Sequence, residues 1–375
     1  MRSNRYRAAV VLGCALAAVL VTSIAAIPTL RRADWSLTVL PRVNGRTALG
    51  RAARAIDPGF HTVRTEPYDG AYYWGIAVDP VGRGTVHQLF DKPSYRYGHP
   101  LFGWVGWVLS AGHARTAATA LAAAGIASVV AAVVAATLLC LRGGTSGLRG
   151  LIVAFNPGLI GSAIHDLGEP LATALLLWGL FFYLRGRRLT TWFAFALAPL
   201  AKEPLALMVL AAVAWECFQR RWSRAAVFAT ALCPAVAWWT YARMHFGAWF
   251  ISGGTALGRP FAGWRSAFAH STLHVGEPGA ATRVAAVAIL AALVVVLTLA
   301  FLRALSGKGV IELTYIALFG VASCLAPNAT VAVGTAFRNT TFLLALAPVL
   351  IAAPSLAPLA IESEAATENS TTHST

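Results

Sequence analysis

TAATALAAAGIASVVAAVVAATLLCL, residues 116–141, carries no charged side chain. A helix rises about 1.5 Å per residue, so a run of this length is long enough for the roughly 30 Å hydrocarbon core of a bilayer. Comparable runs lie on both sides of it: 8–27 before, and 148–164, 168–184, 189–201, 204–218, 225–242, 282–303, 310–326 and 338–358 after. Of the 375 residues, 57% are hydrophobic and 12% charged, where a soluble domain carries about 25% charged residues. These runs predict an all-α polytopic membrane protein with about ten transmembrane helices.

The formal charge of +15 could point to nucleic acid, but the arginines sit between the apolar runs, and no nucleic-acid partner is expected. There is no Gly-rich nucleotide loop, zinc-spaced cysteine set or GxSxG elbow. The five cysteines all lie in apolar runs and predict no disulfide framework. The run 8–27 follows Arg2, Arg5 and Arg7, and small residues near its end resemble a signal cleavage site. It exceeds the 7–15 residues of a signal core, so it reads as a retained first helix. Residues 99–110 are apolar, short and rich in Gly and Trp. They predict an interfacial helix with Trp104 and Trp107 among the headgroups.

Basic residues set the orientation. With ten crossings and the N-terminus inside, Arg142/Arg149, Arg185/Arg187/Arg188, Arg220/Arg221/Arg224 and Arg303/Lys308 all fall on the cytoplasmic side. Both termini are then cytoplasmic, in a multi-pass protein of the plasma membrane. The transmembrane domain covers 1–358, with exoplasmic loops at 28–98 and 243–281, and a Ser/Thr/Glu-rich disordered tail at 359–375. The second loop suggests a short amphipathic helix. Ten of the 15 carboxylates fall outside. A proton-coupled transporter would keep such groups near the midplane, so this distribution suits chemistry at the outer surface.

Four stretches there carry chemistry. In EPYDGAYYWGIAVDP, residues 66–80, Asp69 stands among Tyr68, Tyr72 and Tyr73. Partial desolvation would raise its pKa and make it a better base; equally, Asp69 could cap a helix starting near Ala71. In SYRYGHP, residues 94–100, Arg96 is either a phosphate ligand or an anchor to anionic lipid. In HDLGEP, residues 165–170, His165, Asp166 and Glu169 share a tight turn. A helix beginning at 166 would put both carboxylates on one face, or they serve as N-cap and first-turn charge. Lys202 and Glu203 break an apolar stretch before Pro204, and Arg338 opens the last run as a second phosphate candidate or interfacial anchor.

In this order the pieces resemble the GT-C superfamily of polyprenyl-phosphate-sugar-dependent glycosyltransferases, and more closely a group of uncharacterised actinobacterial membrane proteins of that type. YDGAYYWGIAVDP (68–80) is similar to the group's acidic first-loop stretch, and SYRYGHPLFGWVGWVLSAG (94–112) to the stretch that follows it. NPGLIGSAIHDLGEPLATALL (156–176) resembles its Asp-x-x-Glu turn, and LAPLAKEPLAL (197–207) its later Arg/Lys-Glu turn. The resemblance spans about residues 60–215, with Arg338 beyond it. Two departures stand out: His99 where relatives usually have Arg, and Lys202-Glu203-Pro204 where they often have Arg-Glu-Thr.

The resemblance implies an inverting transfer of a hexose or pentose, such as mannose or arabinose, from a polyprenyl-phosphate donor to a glycan, lipid or protein acceptor. Asp69 would be the general base. Arg96, His99 and Arg338 would bind the donor phosphate. Tyr68, Tyr72, Tyr73, His165, Asp166, Glu169, Lys202 and Glu203 would shape or support the acceptor site. No cofactor is implied beyond a divalent cation that two carboxylate turns could share. Membrane lipids are the other partners. A lipid-linked-sugar flippase and a non-catalytic envelope-assembly protein are the alternative functions. The flippase would need a polar path across the bilayer, and the assembly protein would be indifferent to Asp69 and Asp166.

Overall fold

The computed structural model describes residues 2–64, 68–253, 256–273 and 280–352. Glu66, Pro67, Gly254, His274, Glu277 and the tail 359–375 lie outside the described residues. Among those described the chain is helical, with isolated β-bridges and no strand. In chain order the helices are α1 (Arg2–Arg31), α2 (Ala48–Ile56), α3 (Asp69–Val78), α4 (Pro93–Arg96), α5 (Leu101–Leu109), α6 (Ala117–Arg142), α7 (Gly150–Ala154), α8 (Pro157–Ala163) and α9 (Glu169–Leu184). They continue with α10 (Arg188–Ala201), α11 (Ala206–Phe218), α12 (Trp222–Ala229), α13 (Cys233–Phe246), α14 (Ala262–His270), α15 (Ala280–Ser306), α16 (Val310–Ser323), α17 (Val333–Asn339) and α18 (Thr341–Ala352).

Each of the ten apolar runs is mostly helical over its described residues, but the helices differ in length. Asn4–Arg31, Ala114–Arg142, Trp222–Phe246 and Thr282–Ser306 are long and apolar enough to cross a membrane. A fifth span forms if Val333–Asn339 and Thr341–Ile351 count as one, bent by 63°. The other five runs give shorter or interrupted helices. Pro157 interrupts the run 148–164: Asn156 caps α8 through its side-chain oxygen, and Pro157 occupies the first turn, where its missing N–H costs nothing. The 16 residues of α9 span about 24 Å, short of a bilayer core.

The bundle is built on α6, which packs against α1, α5 and α9. Its Ala-rich faces let neighbouring backbones approach closely, the usual basis of helix association in lipid. Helices α9 and α10 form an antiparallel hairpin, turned at Gly186 in the left-handed conformation. At one end of this hairpin Arg142 donates to the Leu184 carbonyl at 2.7 Å. Buried Glu216 accepts the Tyr183 hydroxyl at 2.6 Å there and faces Arg224 at 3.5 Å. Three of the basic links therefore share one end of the bundle.

The segment 28–98 has its own core at the other end, in which Leu49, Ala53, Phe60, Trp74 and Ile76 pack with Phe102 and Leu121. Helix α5 confirms a short helix within 99–110, but Trp104 is not free for headgroups. It donates to the Pro80 carbonyl at 2.7 Å and packs edge-on against Trp238, whereas Trp107 is 43% exposed. Helix α13 fixes the 97–98 backbone, because Trp238 and Trp239 donate to the carbonyls of Tyr97 and Gly98 at 2.6 and 2.8 Å. The expected short helix of 243–281 is α14.

Candidate functional site

Asp69 is the first residue of α3, where the helix dipole favours an anion. Tyr68 precedes it at the cap position without a side-chain cap bond. The capping role is thus not the one adopted. The Asp69 carboxylate reaches outward: Oδ1 accepts Arg96 Nη1 at 2.7 Å and Oδ2 accepts Arg338 Nη2 at 2.6 Å. Arg96 gives its other edge to Asp91 through two bonds of 3.0 Å. Arg338 donates Nε to Glu169 Oε1 at 2.8 Å, and Lys202 Nζ lies 3.1 Å from the same oxygen. Three cations and three carboxylates, drawn from sequence positions 69 to 338, close into one charge-balanced chain.

Helix geometry explains the meeting. Folding α10 back along α9 sets Lys202, at the end of one, beside Glu169, at the start of the other. Arg338 arrives on α17 because α8 and α17 touch closely at Gly158. A Cβ there would overlap the Phe337 carbonyl and the Thr341 hydroxyl. Gly158→Ala is therefore expected to push α17, and Arg338 with it, away from Glu169. The cost should be about 1–3 kcal/mol, typical of overpacking, read as a lower unfolding midpoint in detergent. Gly70 plays the matching part for α3, where it leaves no room for a Cβ against the His165 carbonyl.

The electrostatics correct one sequence expectation. Burial does raise the proton affinity of Asp69, but the charges of Arg338, Arg96 and Lys202 outweigh it and hold the carboxyl well below the usual range. The aromatic neighbours serve the cations instead. The Arg96 guanidinium lies 3.7 Å from the Tyr72 ring centre, that of Arg338 5.4 Å from Tyr68, and the Lys202 ammonium 5.9 Å from Tyr73. Burial raises the Tyr73 hydroxyl far above its ordinary value, so it stays protonated.

His99 and Glu203 form a second pair, with Nδ1 and Oε1 2.7 Å apart. Burial raises the Glu203 carboxyl, yet the His99 charge and hydrogen bond and the Lys202 charge bring it below its ordinary value. His165 lies edge-on to Tyr68, its Nε2 3.5 Å from Arg42 Nη1. Burial, followed by the charges of Arg42 and Arg338, pushes its imidazole down to about 4 despite the bond to the Ile164 carbonyl, so it is neutral at pH 7. A small cleft between these groups is lined by Asp69, Tyr72, Tyr73, Ile76, Arg96 and His99.

Asp166 does not join. Helix α9 starts at Glu169, and Asp166 sits before it in a left-handed turn with φ 50°, so the two carboxylates do not share a helix face. Asp166 is fully buried, neither of its oxygens has a hydrogen-bond partner, and burial raises its carboxyl well above the ordinary value. A group raised in this way stabilises the fold below its unfolded pKa, and that contribution is lost as pH rises through the folded one. Asp166→Asn should therefore remove a fall in stability that begins near pH 4 in the parent, measured as unfolding midpoint against pH.

Sequence reasoning missed Asp91 and Arg42. The spacing of Asp91 from Arg96, five residues across a Pro-initiated turn, was a usable signal; nothing local marked Arg42. Arg338 stands between Asp69 and Glu169, in the place that a divalent ion shared by the two carboxylate turns would take. Among the described residues no three His, Cys, Asp or Glu side chains gather as metal ligands. Asp79, the last acid of the first stretch, shapes a loop: it accepts the Arg83 and Gly84 amides at 2.9 Å and lies 3.1 Å from His87 Nδ1. No protein-family model, curated protein or solved structure matches this chain.

Proposed function

We propose that this protein is a membrane glycosyltransferase that moves a sugar from a polyprenyl-phosphate donor to an acceptor hydroxyl with inversion. One observation carries the reading: two arginines far apart in the chain, Arg96 and Arg338, converge on one carboxylate that lines a small cleft. Two guanidiniums on neighbouring positions fit the oxygens of a phosphate. At rest they are neutralised by Asp69, Asp91 and Glu169. A donor phosphate draws Arg96 and Arg338 toward itself, with His99 beside them.

That movement does two things. The cations stabilise the negative charge that grows on the departing lipid phosphate. Asp69, relieved of its partners, recovers its proton affinity and accepts the acceptor's proton as the hydroxyl attacks the anomeric carbon opposite the phosphate. Glu169 and Lys202 hold the wall behind Arg338, and Tyr68, Tyr72 and Tyr73 keep the cations in line. In this reading all ten apolar runs cross the plasma membrane, both termini are cytoplasmic, and Tyr68–Asp79 faces outward. The acceptor is a glycan, lipid or protein.

The test is reconstitution with radiolabelled polyprenyl-phosphate mannose and polyprenyl-phosphate arabinose, each with an extract of envelope acceptors. Label leaving the lipid phase for an acceptor is the expected result. Vesicles that move the lipid-sugar across the bilayer without transferring it would overturn the reading in favour of a flippase, and inert vesicles would overturn it altogether.

A further inference from the structure

Residues 28–64 contain Arg31, Arg32, Arg42, Arg46, Arg51, Arg54 and Arg64 against only Asp34 and Asp57. Helix α2 organises three of these. Its inner side puts Leu49 and Ala53 into the same core as Trp74 and Ile76 of α3, while Arg51 and Arg54 are exposed on its outer side beside exposed Arg46. The guanidiniums are held in place: Arg54 donates to the Gly45 carbonyl at 2.7 Å and Arg51 to the Arg46 carbonyl at 3.1 Å. Arg115, also exposed, joins at the far end of the helix by donating to the Ile56 carbonyl at 3.0 Å. This is a fixed cationic face, set on the core that carries Asp69.

Such a face recognises a polyanion. A lipid surface is one candidate, but helices that settle on membranes interleave their cations with exposed Trp, Phe or Leu. Among the described residues no large hydrophobic side chain is exposed between Trp35 and Val81. Around Arg46, Arg51 and Arg54 the face is cationic without an apolar partner, and the exposed Trp35 and Trp107–Leu109 lie outside that stretch of chain, which fits a polyanion presented from water. We propose that this surface binds a phosphodiester-linked polyol or glycan chain and thereby selects the acceptor. Its role as acceptor selector rests on the proposed function; its binding does not.

The experiment uses the full chain in detergent and fluorescent polyglycerol phosphate as the probe, with neutral dextran as the comparison polymer. Polyglycerol phosphate should bind with an affinity that falls steeply with salt, and dextran should not bind. Arg46→Gln/Arg51→Gln/Arg54→Gln should weaken binding at least tenfold. Arg185→Gln/Arg187→Gln/Arg188→Gln removes equal charge from the other end of the bundle and should change it less than twofold. Equal losses in the two triple variants would reduce the effect to net charge and overturn the proposal. A loss confined to anionic lipid vesicles would assign the face to the membrane and overturn it as well. Binding is read without donor, so failed sugar transfer with intact polymer binding would sink the enzyme reading and leave the surface standing.

Discussion

Asp69→Asn is expected to abolish sugar transfer, lowering turnover at least about 100-fold, the low end of what a positioned general base contributes. The amide keeps the shape of the carboxylate but cannot take a proton, and it leaves Arg96 and Arg338 without their shared anion. Donor affinity should hold or rise, because the arginines no longer have to leave a carboxylate to reach phosphate. Turnover and donor dissociation constant, measured on the same vesicles, separate the two effects. Parent-like turnover would remove Asp69 from the chemistry. A parallel loss of donor binding would make it a scaffold residue.

Arg338→Met should have the largest effect on stability. Removing the guanidinium leaves Glu169, whose side chain is 5% exposed, with only Lys202, and frees Asp69 from its anchor to the bundle. Breaking one partner of a buried pair costs about 3–5 kcal/mol, more than the pair itself contributes, because the remaining charge keeps its desolvation penalty. Arg338→Lys should recover little, since one ammonium cannot reproduce two directed bonds to two carboxylates. Arg338→Met/Glu169→Met should regain little of the loss, because it leaves Lys202 without its carboxylate and Asp69 still without Arg338. Unfolding midpoints in one detergent check the series. A single Met variant as stable as the parent would show the network to be superficial.

Hydropathy made the helical runs legible, since apolar content alone marks them. It did not show that Pro157 divides one run or that α17 and α18 meet at 63°. Both depend on what packs beside them. Asp69, Arg96, Glu169, Lys202 and Arg338 could be named from charge in apolar surroundings, yet their pairing was hidden, because Asp69 and Arg338 are 269 positions apart. That distance also explains the error over Asp69. Its sequence neighbours are aromatic and argue for a raised pKa, whereas the cations that lower it come from remote helices. Asp166 was misplaced for a local reason: the left-handed turn turns it out of register with Glu169.

The position of Arg338 has a consequence for biogenesis. Synthesis runs from the N-terminus, so Asp69, Glu169 and Lys202 are all made before the residue that binds them together. Until the ribosome passes residue 338, two acids at the rim of a growing bundle lack their bridge. The entropic cost of closing a loop of that span grows only slowly with its length, and the packing of α17 on α8 and of α18 on α15 and α16 repays it as the ion chain forms. A nascent chain stalled short of α17 should remain protease-sensitive around α3, and release of the completed polypeptide should be the moment at which that protection appears.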